Sequence, residues 1–168
     1  VIVWINGPFG AGKTTLATAL DARDDVAVVD TERAGYFLQP FVQDRKPVPN
    51  FQDWRAWRTL AAAMVSSVHD EIGGLVVVPQ SVFDESYWDE LLDGIGAPVT
   101  AITLHVDRGE LERRIREDRV EVGALDWRLE QADLYERATP WLTSRTQMID
   151  TTALTPEQVV SEVLRLVT

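Results

Sequence analysis

The opening residues restrict this chain more than any others. An apolar, strand-like run, Val1-Ile2-Val3-Trp4-Ile5-Asn6, breaks into Gly7-Pro8-Phe9-Gly10-Ala11-Gly12-Lys13-Thr14. The helix-compatible stretch Thr14-Thr15-Leu16-Ala17-Thr18-Ala19-Leu20 follows directly. The break fits G-x-x-x-x-G-K-[ST], the phosphate-binding P-loop, in the strand–turn–helix setting that the motif requires. In such a turn the backbone N–H groups converge on phosphate oxygens, and the positive end of the next helix faces the same anion. The motif assigns Gly7, Phe9, Gly10, Ala11, Gly12, Lys13, Thr14 and Thr15 to nucleotide binding. Lys13 is expected to reach the β- and γ-phosphates, and Thr14 to place its hydroxyl on Mg²⁺. ATP and Mg²⁺ are the expected cofactors.

Apolar runs and helix-compatible stretches alternate along the rest of the chain. Val26–Val29, Leu75–Val78, Thr100–Val106 and Gln147–Ile149 read as strands. Helices are expected from about Phe51 to Glu71, from Asp84 to Asp93 with Gly94 as the stop, from Glu110 to Asp118, from Asp126 to Ala138, and from Pro156 onward. This βαβ series implies a parallel sheet covered by helices on both faces. One domain over residues 1–168 is expected, with a lid around 108–130 and a substrate-side segment around 31–60. Gln39 to Asn50 contains three prolines and reads as an irregular, functional loop.

Charge narrows the partners. Acidic residues outnumber basic ones 27 to 16, for a formal net charge of −11. Such a field repels nucleic acid, so an anion must be gripped by local donors. The chain has no cysteine, which excludes disulfides and thiolate metal sites and fits a cytoplasmic location. No run approaches the ~18 apolar residues of a spanning helix. Peripheral membrane contact and oligomeric state stay open.

In an open parallel sheet, ligands bind beyond the carboxyl ends of the strands. That rule selects Asp30-Thr31-Glu32, Pro79-Gln80-Ser81 and Asp107-Arg108 beside the P-loop. Asp30 reads as a catalytic base or a holder of Mg²⁺. It reads equally as a helix N-cap. Glu32 is a substrate contact or a first-turn acid that complements a helix dipole. The third strand ends in Pro79-Gln80-Ser81, where many P-loop proteins carry an aspartate. Phe51, Trp54 and Arg58 interleave rings and charge, as a site that stacks a ring and grips an anion does. Trp57, in the same run, reads as core. Four arginines fall within Arg113–Arg119. Arg116 and Arg119 lead as lid residues that stabilise charge in transit, with Arg128 and Arg137 behind them. The alternative for the cluster is a solvated helix laced with Glu–Arg pairs. His69 and His105 read as structural.

The opening Trp4-Ile5-Asn6-Gly7-Pro8-Phe9-Gly10-Ala11-Gly12-Lys13-Thr14 resembles that of the tunicamycin-resistance family of P-loop proteins. Asp30-x-Glu32-x-x-Gly35, Phe51-Gln52, Trp57-Arg58, Val78-Pro79 and the Leu111–Arg116 helix with Trp127 downstream continue the likeness. More widely, the order of elements is similar to that of shikimate and nucleoside monophosphate kinases. The resemblance implies a three-layer α/β P-loop NTPase fold with a parallel five-stranded sheet. It further implies ATP binding and a link to resistance against a uridine-containing antibiotic, with the second ligand near Asp30, Phe51, Arg58 and Gln80. A small-molecule kinase acting on a nucleoside-like hydroxyl is the leading expectation. The alternative is a non-catalytic, ATP-dependent protein that sequesters the antibiotic. A regulatory or assembly NTPase is the weakest reading, since no arginine finger for a neighbour can be assigned.

Overall fold

The computed structural model describes residues 1–117 and 125–167. Five parallel strands form one sheet: β1 (Ile2–Asn6), β2 (Val26–Val28), β3 (Leu75–Pro79), β4 (Val99–His105) and β5 (Gln147–Asp150), in the order β2-β3-β1-β4-β5. β1 lies at the centre and pairs in parallel with β3 on one side and β4 on the other. Its successive side chains point to opposite faces, and every one of them is buried. Ile2 and Trp4 join one core cluster, whereas Val3 and Ile5 join the other. An uninterrupted apolar run is what a strand covered on both faces needs.

The helices divide between those two faces. α3 (Arg55–Ile72) and α4 (Glu85–Ile95) pack on the Trp4 face, through Trp57, Val65, Trp88 and Leu91. α1 (Lys13–Asp21), α5 (Arg108–Glu117) and α7 (Pro156–Val167) pack on the opposite one, through Leu16, Leu111, Ile115 and Val159. α2 (Glu32–Val42) and α6 (Leu125–Arg145) flank the carboxyl ends of the strands, contributing Glu32, Tyr36, Trp127 and Arg128 to the cavities there. No described helix is long and apolar enough to cross a membrane.

Several boundaries differ from the sequence expectation, each for a local reason. α2 continues through Pro40 to Val42, so the irregular stretch begins at Gln43. Proline removes one N–H and crowds one preceding carbonyl, which a helix about to end tolerates. The expected helix from Phe51 is two elements. Asn50 accepts a hydrogen bond from the Gln52 amide and starts a 3₁₀ turn over Phe51–Asp53, and the extended backbone of Trp54 separates that turn from α3. Gly94 does not stop α4; the left-handed Gly96 does. A Cβ at Gly94 would meet that of Ala62 at 2.8 Å, so this glycine lets α3 and α4 approach. α6 runs through Pro140 to Arg145, beyond the expected Ala138.

Candidate active site

The site begins with an incomplete helix. Gly12, whose φ of 97° is left-handed, occupies the N-cap position of α1, and no side chain caps the first turn. The first turn also lacks an acidic residue. The first amides of a helix have no partner within it, so these N–H groups and the dipole behind them fit an anion. Lys13 folds back across the loop, where its Nζ donates to the carbonyls of Gly7 and Pro8, both at 2.8 Å. The ammonium also lies 5.4 Å from the centre of the Phe9 ring. Burial lowers the Lys13 pKa from the ordinary 10.5 to about 7; Glu32 opposes the shift and Arg128 adds to it.

Buried polar contacts fasten the loop to β3. Asn6 accepts hydrogen bonds from the amides of Gly7 (2.8 Å) and Val82 (3.0 Å) and donates to the Val82 carbonyl at 2.8 Å. Ser81 donates its hydroxyl to the Gly7 carbonyl at 2.7 Å. The Trp4 indole donates to the Gln80 carbonyl at 2.9 Å, and the Thr31 hydroxyl donates to the Gln80 side-chain oxygen at 2.8 Å. The ends of β1, β2 and β3 are thereby held in fixed relation.

Three adjoining cavities surround this framework. The first, about 420 Å³, is the phosphate cradle: Gly12, Lys13, Thr14 and Thr15 border it together with Arg114 and Arg128. The second, about 240 Å³, lies beyond Gly10 and Ala11 and is bordered by Thr151, Leu154, Pro156 and Val159, with Arg114 shared between the two. The third, about 440 Å³, opens on the other side. Phe9, Glu32, Gln80 and Ser81 border both it and the cradle. Its further walls include Tyr36, Phe51, Gln52, Asp53, Tyr87 and Trp127.

The expected site residues are distributed unevenly over these cavities. Phe9, Gly10, Gly12, Lys13, Thr14 and Thr15 border the cradle, and Ala11 borders the neighbouring cavity. Gly7 is buried beneath the loop. Its φ is 137°, and a Cβ there would meet the Leu104 carbonyl oxygen at 2.6 Å. Glu32 reaches the cradle, the third cavity and a further recess that holds Thr14, Asp21 and Asp30. Asp30 faces that recess, and its carboxylate accepts from the Glu32 amide at 3.0 Å. Thr14 with Asp30 and Glu32 offers one hydroxyl and two carboxylates. Such a donor set suits a Mg²⁺ ion that arrives with a polyphosphate. No cluster of three or more His, Cys, Asp or Glu able to hold a metal occurs among the described residues.

Phe51 and Gln80 border the third cavity; Trp54 and Arg58 do not. Trp54 is core, stacked on Phe51 at 5.6 Å, with its indole donating to the Lys46 carbonyl at 2.8 Å. Arg58 is buried behind the cavity wall. It pairs with Glu90 at 2.8 Å, donates to the Gln52 carbonyl and covers the Tyr87 ring at 4.0 Å. Arg116 is half-exposed and bound to Glu112 at 3.1 Å, away from these cavities. Arg119, and the part of the expected lid from 118 to 124, lie outside the described residues.

Sequence reasoning misses Arg114, the arginine of α5 that borders the cradle. Glu110 holds it at 2.7 Å, and it donates to the Thr151 and Thr152 carbonyls at 3.0 and 3.2 Å. Helical periodicity carries the missing signal. Leu111 and Ile115 are the buried stripe of α5, and position 114 flanks it, whereas 113 and 116 face away. Asp53, Asp84 and Tyr87 are missed as well, because their convergence depends on how the 3₁₀ turn meets α4.

Comparison with known proteins agrees with this fold. A family model described as an AAA domain matches residues 2–135. The fold is similar to that of the tunicamycin resistance protein of Deinococcus radiodurans, at 27% identity and a TM-score of 0.73, over 99% of this chain and 94% of that one. A sugar kinase from Janibacter sp. HTCC2649 is similar in fold at 19% identity and a TM-score of 0.67, covering 99% and 93%. So is shikimate kinase from Bacteroides thetaiotaomicron, at 18% identity and a TM-score of 0.66, covering 99% and 98%. A comparison with curated protein sequences finds no match. The fold is that of P-loop small-molecule kinases, and the match over residues 2–135 places the chain in the AAA-domain family.

Proposed function

We propose that this protein is an ATP-dependent small-molecule kinase that phosphorylates a hydroxyl of a nucleoside-like compound, with tunicamycin as the first candidate. One observation carries the reading: a phosphate cradle opens into a ring-lined cavity across a partition made by Phe9, Glu32, Gln80 and Ser81. Tunicamycin comes first because the Deinococcus protein of similar fold is a tunicamycin resistance protein.

Within this reading, Mg²⁺-bound ATP supplies the phosphoryl group. The uncapped first turn of α1 and Lys13 hold the phosphates, while Arg114 and Arg128 neutralise charge above them. The small cavity beside Thr151 and Pro156 takes the nucleobase. Thr14, with Asp30 at its side, is the metal end of the site. Glu32 reaches both the cradle and the acceptor cavity, so it receives the proton of the acceptor hydroxyl. Arg58 acts through others, by fixing Gln52 and Tyr87.

The test is incubation with ATP, Mg²⁺ and tunicamycin, uridine or uridine sugars, with products weighed by mass spectrometry. A product heavier by one phosphoryl group is expected, and its formation should fail in Glu32→Gln. Absence of such a product from every acceptor contradicts the reading. A second reading, a binding protein that sequesters the antibiotic, is favoured by one feature: β3 is followed by the neutral Gln80 and Ser81 where an acid would order the metal. It predicts tight antibiotic binding by calorimetry with negligible ATP consumption, and acceptor-stimulated ADP release removes it.

A further inference from the structure

The basic side chains lie on one side of the partition, and Glu32 is common to both sides. Lys13, Arg114 and Arg128 border the cradle together with Glu32. The acceptor cavity is bordered by the carboxylates Glu32, Asp53 and Asp84, and no Lys, Arg or His lines it among the described residues. The buried cation Arg58 stands behind the Tyr87 ring and is committed to Glu90 and the Gln52 carbonyl.

The carboxylates are built in. Asp53 accepts a hydrogen bond from the Tyr87 hydroxyl at 3.2 Å. Asp84 caps α4 by accepting from the amides of Ser86 and Tyr87. Burial pushes the Asp84 pKa up, but hydrogen bonds from Ser86 and Tyr87, with the positive charge of Arg58 behind the wall, outweigh it and leave the group below its ordinary value. The remaining walls are rings and neutral groups. Two aromatic pairs border the cavity, Tyr36 with Phe51 at 5.4 Å and Phe9 with Trp127 at 4.8 Å. Amide side chains at Asn50, Gln52, Gln80 and Gln131 supply donors and acceptors.

We infer that the acceptor is a hydroxylated, ring-bearing compound without negative charge, and that this cavity rejects anionic acceptors. A flat ring is held against the aromatic walls, and the amides read its polar edge. A carboxylate or phosphate on the acceptor would meet like charge with no described cation on the cavity border to pair it, which costs binding. A protonated amine meets no such penalty. The chemistry rests on the kinase reading above; the selection by charge concerns binding and can be read separately.

The experiment uses nucleosides and hexoses in matched neutral, amino and phosphorylated forms, such as uridine with uridine 5′-monophosphate, and glucosamine with its 6-phosphate. Each is titrated calorimetrically into the full chain with a non-hydrolysable ATP analogue and Mg²⁺, and each is assayed for ADP release with ATP. Neutral and amino members are expected to bind at least about tenfold more tightly than their anionic partners. Asp53→Asn, which keeps an acceptor for the Tyr87 hydroxyl, should narrow that gap. Anionic members that bind as well as the neutral ones, or a gap unchanged in Asp53→Asn, overturn the inference. A series in which nothing binds removes the cavity as an acceptor site and the inference with it. The expected preference without ADP release from any member overturns the kinase reading and leaves the charge selection standing.

Discussion

Lys13 is held under tension between fold and ligand. In the folded chain its pKa of about 7 lies below the ordinary 10.5, so between these values the unfolded chain binds more protons than the folded one. Stability from this residue therefore rises with pH across that window, and the cost of burying the ammonium is fully present below pH 7. Lys13→Met should unfold at higher urea than the wild type at pH 6, with the difference shrinking toward pH 10. A difference that ignores pH contradicts this account. Gly35 is constrained by space rather than by φ. A Cβ there would sit 1.9 Å from Cδ2 of Phe51, so Gly35→Ala must displace a ring that walls the acceptor cavity. The expected cost is about 1–3 kcal/mol, as for other overpacked sites. The acceptor KM should rise while the ATP KM holds, and steady-state kinetics with each substrate varied reads the split.

At the scale of elements, two buried side chains hold strands and helices in register with the site. Asn6 satisfies the amides of Gly7 and Val82 and the Val82 carbonyl, all away from water. Asn6→Ala leaves these groups unmet and should cost about 3 kcal/mol or more, seen as a lower urea midpoint. Arg58 joins α3 to α4 through Glu90, with side-chain exposures of 8% and 45%. Because Glu90 is half in water, Arg58→Ala is expected near the low end of the range for breaking a buried pair, ~3 kcal/mol. Arg58→Lys should not restore the loss, since an ammonium cannot reproduce the guanidinium fork or its stacking on Tyr87. Thermal unfolding of the two variants checks both statements.

The strands were legible because each central one is a continuous apolar run beside a glycine or a turn, whereas their order, with β1 at the centre, comes from the fold. Helix ends were less legible. Proline at 40 and 140 reads as a stop in one dimension, yet the helices pass through them to Val42 and Arg145. Trp54 and Arg58 carried site-like chemistry in sequence, but packing turned the tryptophan into the core and set the arginine behind Tyr87. Arg114 and the Asp53–Tyr87 pair depend on contacts between distant segments, and no local pattern announces such contacts.

Over the whole molecule, a net charge of −11 surrounds one compact cationic cradle. Among the described residues, the amides of the loop, Lys13, Arg114 and Arg128 converge at this cradle, which is the local grip a polyanion needs against that field. The acceptor cavity beside it continues the negative surface inward, which divides the site into a phosphate side and an acceptor side. Calorimetric titration of ATP with Mg²⁺ into the wild-type chain and into folded Lys13→Met tests this most directly. The account predicts saturable binding by the wild type and its loss in the variant. No binding at millimolar nucleotide, or equal binding by the two proteins, would contradict it.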